Sequence, residues 1–503
     1  MSLRQPPNIL ASKAALLIVI ISILLILVAT LYPFNFSFQN GFSVSQLFSS
    51  FIHPSHLTDR VKNLLLFLPL GFSLSWMLQN SRLNPTVKLL IVLLSSAGLS
   101  FLVETLQYFL PSRKPTPADI FNNTFSGLLG LLCFYLWSLR IFVLKFIKKN
   151  KTFISTQKIT LIFIGYLSLP FLISIPWQST TNLSNWDLNF PLLLGNELTE
   201  NRPWHGYVSE FYVTDRAISK DEVSKLFSGK DSPIGIGDSL IAYYQLHERD
   251  KYTDQRENLP DLIWQGQPLK ATWLKKEPLG VFLSSRRWLE TATPVTFLNQ
   301  RIRESNQFTL GATVATAAIL QNGPARIISV SSDVGERNLT LGQVGTSLIF
   351  RVRTPLSGDN GDYIQAIVPN VFTDNNPHQI VITYANSVLQ VYVDNLENLH
   401  SFYLLELLKK ADKFLYYGLI FIPLGYLLSL ILILAQRRFI FNLLLYSGIL
   451  LPPLLLELIL ATSSGRSIKP ENLLLSVLIT AIALLVFEWQ LAWIRGVRQK
   501  KSI

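Results

Sequence analysis

Three polar side chains of one apolar stretch, Ser100, Glu104 and Gln107, fall at i, i+4 and i+7 and so share one face of a helix. A second set follows at the same helical spacing: Asp119, Asn123, Ser126, Gly127 and Gly130. Between them Leu110-Pro111-Ser112-Arg113-Lys114-Pro115-Thr116-Pro117 forms a short turn stiffened by three prolines, placing Arg113 between Glu104 and Asp119. Upstream, Asp59 and Asn63 open another apolar stretch that Pro69 would kink. Three carboxylates, one guanidinium and three amides admit two readings. They form an ion-pair cluster that fixes a turn, or they form a polar site that binds a ligand or transfers protons. Both stand at this point. The six histidines are scattered and none lies in an HExxH pattern. Cys133 is the single cysteine, which excludes an intramolecular disulfide framework and a cysteine-rich metal site. No metal ligand set is expected.

The elements that must hold these groups are membrane helices. The chain has 503 residues, 49% hydrophobic and only 15% charged, well below the quarter charged that soluble chains average. A spanning helix needs about 20 mostly apolar residues. Stretches of that kind run near 14–31, 64–78, 87–109, 120–144 and 159–175, then near 414–435, 441–461 and 473–493, which makes about eight. The first resembles a secretory leader, yet bulky Tyr32-Pro33-Phe34 follows it instead of small residues, so a retained helix is expected.

The net charge of +12 is unevenly placed. Residues 176–413 hold 22 Lys and Arg against 26 Asp and Glu, which leaves 22 basic and 6 acidic residues for the rest. The basic excess therefore belongs to the membrane parts, and nucleic acid is not an expected partner. With the N-terminus inside, sixteen basic residues fall in cytoplasmic loops and ends, against six in outward short loops. The positive-inside rule then puts both termini in the cytoplasm and 176–413 outside.

The chain also repeats itself. Phe67-Leu68-Pro69-Leu70-Gly71-Phe72 returns as Phe421-Ile422-Pro423-Leu424-Gly425-Tyr426. Glu457 and Arg466 then match Glu104 and Arg113, nine residues apart in each copy, and Asn472 matches Asp119. Lys413, Tyr417 and Ser476 replace Asp59, Asn63 and Asn123, so any polar site is expected in the first copy.

Leu31-Tyr32-Pro33-Phe34, Asp59, Asn63, Phe67-x-Pro69-x-Gly71, Glu104, Gln107, Arg113 and Asp119-x3-Asn123-Thr124 together resemble the VanZ-like membrane proteins, over roughly 16–149. Ser126 departs from the family's usual glycine. The family includes a teicoplanin-resistance factor of Gram-positive bacteria. The resemblance implies a bundle in the bacterial plasma membrane and a cell-envelope role.

Between the two helical parts, alternation of period two dominates, as in Leu348–Arg353 and in Ile380, Ile382 and Tyr384 before a turn at Ala385-Asn386-Ser387. Short strands between Gly, Asn and Asp turns predict a β-sandwich, and Ser219 with Glu222 forms a capping-box sequence. The block resembles a laminin-G or concanavalin-A-like jelly roll whose closing element, Leu192–Asn196 to Ala217, comes first, as after a circular permutation. Such a permutation would bring residues 176 and 413 together. The resemblance implies recognition of glycan or protein, sometimes with calcium, for which Asp333, Asp359, Asp362 and Asp394 are candidate ligands. Trp186, Trp204, Trp264 and Trp273 are candidates to stack on sugars or to fill the core. A retaining glycosidase needs two carboxylates about 5 Å apart, and no E-x-D-x-x-E pattern supplies them.

The expected organisation is a polytopic helical membrane protein with an inserted extracytoplasmic sandwich: 1–175, 176–413 and 414–503. Its partners would be the lipid bilayer and envelope glycan or a surface protein. Recognition is the leading function. An intramembrane enzyme acting on an envelope lipid or peptidoglycan precursor is the alternative.

Overall fold

The computed structural model describes residues 9–37, 57–79, 81–110, 117–150, 156–246, 251–267, 280–333, 335–435 and 438–499. The chain divides into two units. One comprises Met1–Ser168, Phe414–Pro453 and Leu474–Ile503, the other Leu169–Lys413 and Leu454–Leu473.

The first unit is helical, and all eight expected helices are present, four of them reaching into the second unit. They are α1 (Ile9–Leu31), α2 (Leu57–Met77), α3 (Pro85–Gln107), α4 (Pro117–Asn150) and α5 (Thr156–Ser179), then α8 (Lys410–Leu434), α9 (Arg438–Ser464) and α10 (Pro470–Gln499). Six of these, α1, α3, α5, α8, α9 and α10, are long and apolar enough among the described residues to cross a bilayer. Helix α2 offers a shorter apolar stretch, Asn63–Met77, and α4 opens with Asp119, Asn122 and Asn123.

Small residues decide how α2 meets α4. A Cβ on Gly71 would fall 1.9 Å from the Gly127 carbonyl oxygen, and one on Gly130 would fall 2.2 Å from that of Leu68. Only glycine permits this approach, as in other small-residue membrane interfaces. Val19 and Ile26 of α1, Phe67 and Leu70 of α2 and Val103 of α3 close the core around it.

The second helical triplet repeats this packing at several equivalent positions. Gly425, the counterpart of Gly71, lies against Thr480 and Ala483, the counterparts of Gly127 and Gly130. Phe72 meets Phe134 edge-on with centroids 5.7 Å apart, and Tyr426 meets Phe487 the same way at 5.5 Å. Ser75 Oγ donates to the Gly71 carbonyl, as Ser429 Oγ does to that of Gly425. Proline opens the third helix of each triplet, at Pro117 and Pro470, where its missing N–H costs nothing. The larger Ala483 and Thr480 leave the second crossing less tight.

The second unit carries two antiparallel sheets. Its strands in order are β1 (Leu192–Leu194), β2 (Gly206–Thr214), β3 (Leu240–Gln245), β4 (Lys251–Tyr252), β5 (Leu262–Gly266), β6 (Val281–Leu283), β7 (Arg287–Thr291) and β8 (Phe308–Thr316). There follow β9 (Gln321–Ser331), β10 (Arg337–Gly345), β11 (Ser347–Val352), β12 (Gln365–Val368), β13 (His378–Ala385), β14 (Val388–Val393) and β15 (Asn395–Tyr403). The eight-stranded sheet runs β12-β11-β10-β9-β1-β7-β5-β4. The seven-stranded sheet runs β15-β14-β13-β8-β2-β3, with β6 also paired to β2. The two earliest strands thus take interior places, β1 between β7 and β9 and β2 between β3 and β8.

Alternation builds the core. Phe350 and Val352 are buried while Arg351 between them is partly exposed. Phe308 stacks on Tyr384 at 5.5 Å and reaches Phe350 of the other sheet at 6.0 Å. Asn386 and Ser387 form the expected two-residue turn with φ of 51° and 67°, the left-handed pair that matches strand twist. That turn also gathers the two ends of the insertion. Ser387 pairs by hydroxyl with Thr181 at the entry, and its carbonyl accepts from the Leu404 amide at the exit. The capping box is present: Ser219 accepts from the Glu222 amide and opens α6 (Lys220–Phe227). Helix α7 (Thr296–Ser305) precedes β8.

Candidate functional site

The second-copy cluster is built from a helix end. Helix α9 stops at Ser464, and Gly465 takes φ of 65° so that the Arg466 amide can bond back to the Ala461 carbonyl. This reversal returns the Arg466 side chain to Glu457, Nη1 to Oε1 at 2.6 Å, with both side chains only 4% exposed. The Lys469 amide donates to the same oxygen at 2.8 Å. Asn472, in the first turn of α10, donates to Glu457 Oε2 at 3.3 Å and to Glu406 Oε1 at 2.9 Å. Glu406 also pairs with Arg466 at 3.4 Å and with Lys413 at 2.6 Å. Two carboxylates thus face two cations, and all four carboxylate oxygens accept a bond.

Burial alone would raise the Glu406 carboxyl, but hydrogen bonds from Lys413 and Asn472, with the charges of Lys413 and Arg466, outweigh it and hold it below its usual range. Such a paired set fixes a turn, with both carboxylates neutralised by neighbouring cations. The sequence points to Glu457, Arg466 and Asn472, and the structure joins them. Glu406 was missed, because it lies 51 residues before Glu457 and outside the repeat.

The first copy is different. Glu104 is 2% exposed near the end of α3, and Gln107 Nε2 donates to the Thr30 carbonyl of α1 at 3.0 Å. Asn123 Nδ2 donates to Ser100 Oγ at 2.9 Å, and Ser126 Oγ donates to the Leu64 carbonyl. Asp119 lies in the first turn of α4, and Asn63 is partly buried in α2. Arg113 and the side chain of Asp59 lie outside the described residues. Sequence spacing missed Ser96, four residues before Ser100, which extends the same buried stripe. Ser96 Oγ and Asn123 Oδ1 are buried with no hydrogen-bond partner among the described residues. At the counterpart positions the second copy has Ile449 and Ser476, with Pro453 in place of Ser100 and Leu460 in place of Gln107. The first copy therefore keeps a polar stripe with hydrogen-bonding capacity to spare, chemistry that suits a hydroxyl- or amide-bearing group.

In the sandwich, Trp186 and Trp204 are core residues at 1% and 0% exposure, and Arg287 lies over the Trp264 ring at 3.3 Å. Trp273 lies outside the described residues. Asp359 pairs with Arg353 at 3.0 Å and Asp394 with His378 at 2.8 Å. Asp333 and Asp362 occupy turns, and among the described residues no three carboxylates or histidines gather as a metal site would require. Alternation also concealed a buried triad in which Glu197 bridges Arg326 at 3.0 Å and Arg337 at 3.1 Å.

The profile of the VanZ/LLP1 family matches residues 16–138, which span α1 to α4 up to Ser138 and hold every first-copy polar residue named above. No curated protein and no solved structure matches the chain.

Proposed function

We propose that the chain is a VanZ-like multi-pass protein of the bacterial plasma membrane that holds its sandwich outside the cell to recognise envelope glycan or a surface protein. The excess of basic residues in loops on one side supports that orientation. The laminin-G-like segments that become β1 and β2 support a recognition module.

Glu406 carries the coupling. It ends the strand-exit turn Leu404–Glu406 and is bonded to Arg466 and Asn472 in the turn between α9 and α10. A load on the sandwich exit is therefore felt at a helical turn without any flexible tether between them. The test is retention of the full chain, in a detergent without sugar groups, on purified insoluble peptidoglycan and wall polysaccharide. Sedimentation with either supports recognition. Failure with both, together with failure to capture any surface protein, removes it.

A second reading is intramembrane chemistry on an envelope lipid or peptidoglycan precursor. Its support is the buried Glu104 on the stripe that holds Ser96; neither Ser96 Oγ nor Asn123 Oδ1 has a hydrogen-bond partner among the described residues. Glu104 would be the proton acceptor, with Arg113 and Asp119 as companions. Turnover of a lipid-linked precursor by the wild type but not by Glu104→Gln would favour this reading.

A further inference from the structure

The outer face of the seven-stranded sheet holds a recess with no assigned role. Two cross-strand rows form its floor: Glu210, Thr313 and Gln379 in one, and Tyr243, Tyr212, Gly311 and Val381 in the next. Directly opposed residues share a face, so these side chains rise together. Helix α6 forms one wall. Its N-terminus is pinned by the capping box and by Arg216, which grips Glu222 with two hydrogen bonds of 3.0 and 2.6 Å. The Glu222 carboxyl is thereby held at about 2, first through the bond from Arg216, so the clamp stays charged at any physiological pH. Leu226 and Phe227 end the helix over the sheet, and the turn from Gly229 to Pro233 closes the side. The space left is about 210 Å³. That equals on the order of seven waters at ~30 Å³ each, and is below the roughly 300–1,000 Å³ of drug-sized sites.

We propose that this recess is a binding site for a single uncharged, hydroxyl-rich ring, the terminal or internal sugar of a neutral glycan. The proposal rests on the recognition reading and names its site and ligand class. Tyr212 is the first reason. Its ring lies across Gly311, where a Cβ would come within 2.0 Å of it, so the ring is fixed on bare backbone. Its hydroxyl is buried and has no partner among the described residues. A buried hydroxyl without a partner is costly, and Tyr212 is one of the residues that line the recess, where a ligand hydroxyl would supply the missing bond. Burial, with Glu210 nearby, keeps that phenol protonated.

Glu210 is the second. Oε2 accepts from the Tyr243 hydroxyl at 2.8 Å and Oε1 from Thr313 at 3.3 Å, while Gln245 Nε2 donates to Tyr243 at 2.8 Å. These bonds preset the carboxylate and leave lone pairs for sugar hydroxyls. Charge supplies the third reason. Glu210 and Asp231 line the recess and no Lys or Arg does, so phosphate, sulfate and carboxylate ligands are repelled. Val381 on the floor and Leu226 and Phe227 on the wall offer apolar contact for the C–H face of a ring.

The test uses the full chain in a sugar-free detergent and saturation-transfer NMR with three probes: glucose, N-acetylglucosamine and glucuronate. At least one neutral sugar should receive saturation and bind with millimolar Kd, while glucuronate should bind at least tenfold more weakly. Tyr212→Phe, which removes only the partnerless hydroxyl, should weaken the neutral probe at least fivefold while Tm holds or rises. Glu210→Gln should weaken it too. The recess is the wrong site if no neutral probe binds, if glucuronate binds as well, or if Tyr212→Phe binds as wild type does. Retention on envelope polysaccharide that survives Tyr212→Phe would sink this site alone and leave the recognition reading standing.

Discussion

Glu104 and Glu457 hold equivalent places in two copies of one packing unit, and the polar stripe around them differs: Ser96, Ser100 and Asn123 of the first copy stand where the second has Ile449, Pro453 and Ser476. Glu457 accepts from Arg466, Lys469 and Asn472. Removing the guanidinium by Arg466→Ala leaves a carboxylate of 4% exposure short of its counter-charge. Breaking such a pair costs about 3–5 kcal/mol, so Tm and protein level should fall together. Glu104→Gln keeps shape and hydrogen bonding at the first-copy stripe. It should abolish complementation of a deletion strain with Tm near wild type. An equal loss of Tm in both variants would make the first site structural as well.

Two titrations in the second unit run in opposite directions. His378 is raised, first by its hydrogen bond to Asp394 against the pull of burial, with Asp374 and Asp394 both facing it. Its contribution is full below the unfolded pKa, near 6.5, and is lost as pH rises through the folded value. Glu406 is lowered, so its contribution is full above the unfolded value and is lost as pH falls through the folded one. Thermal melts from pH 4 to 9 should therefore decline at both ends. His378→Gln should flatten only the alkaline limb, and Glu406→Gln only the acid limb. Unchanged limbs would remove both groups from the pH response.

Among the elements, the crossing of α2 and α4 depends on glycine more than on any polar contact. Gly127→Ala would drive a Cβ to 2.1 Å from Ser96 Oγ, and Gly71→Ala would strike backbone at 1.9 Å. Gly71→Ala should therefore abolish stable expression. Gly98→Ala in α3, with nothing within 4 Å, should be neutral or stabilise by up to about 1 kcal/mol through helix propensity. Comparing the melting curves of the two alanine variants checks the crossing. The elements themselves were largely readable in the sequence, because apolar length, the capping box at Ser219 and the Asn386-Ser387 turn are local signals. The repeat was readable from Gly71 and Gly425, but its deeper agreement, Phe72 on Phe134 and Tyr426 on Phe487, needed the packing. Glu406 and the row of Glu210, Thr313 and Gln379 were not readable. Their neighbours come from strands and turns far away in the chain, where neither period nor motif spacing points.

For the molecule as a whole, the sandwich interrupts a helical protein without spreading its ends, because Thr181 and Leu404 both bond to Ser387. Insertion of a folded module is tolerated where its termini adjoin. Everything proposed about recognition requires that module to face outward. The most direct measurement is labelling of intact cells with a membrane-impermeant maleimide, in a Cys133→Ser background that removes the single native thiol. Leu320→Cys places a thiol at an 81% exposed position between β8 and β9, and Leu83→Cys places one in the loop between α2 and α3. Labelling at 320 in intact cells, with 83 reactive only after lysis, is the expected result. Labelling at 83 in intact cells, with 320 protected until lysis, would contradict an exported sandwich and the envelope role with it.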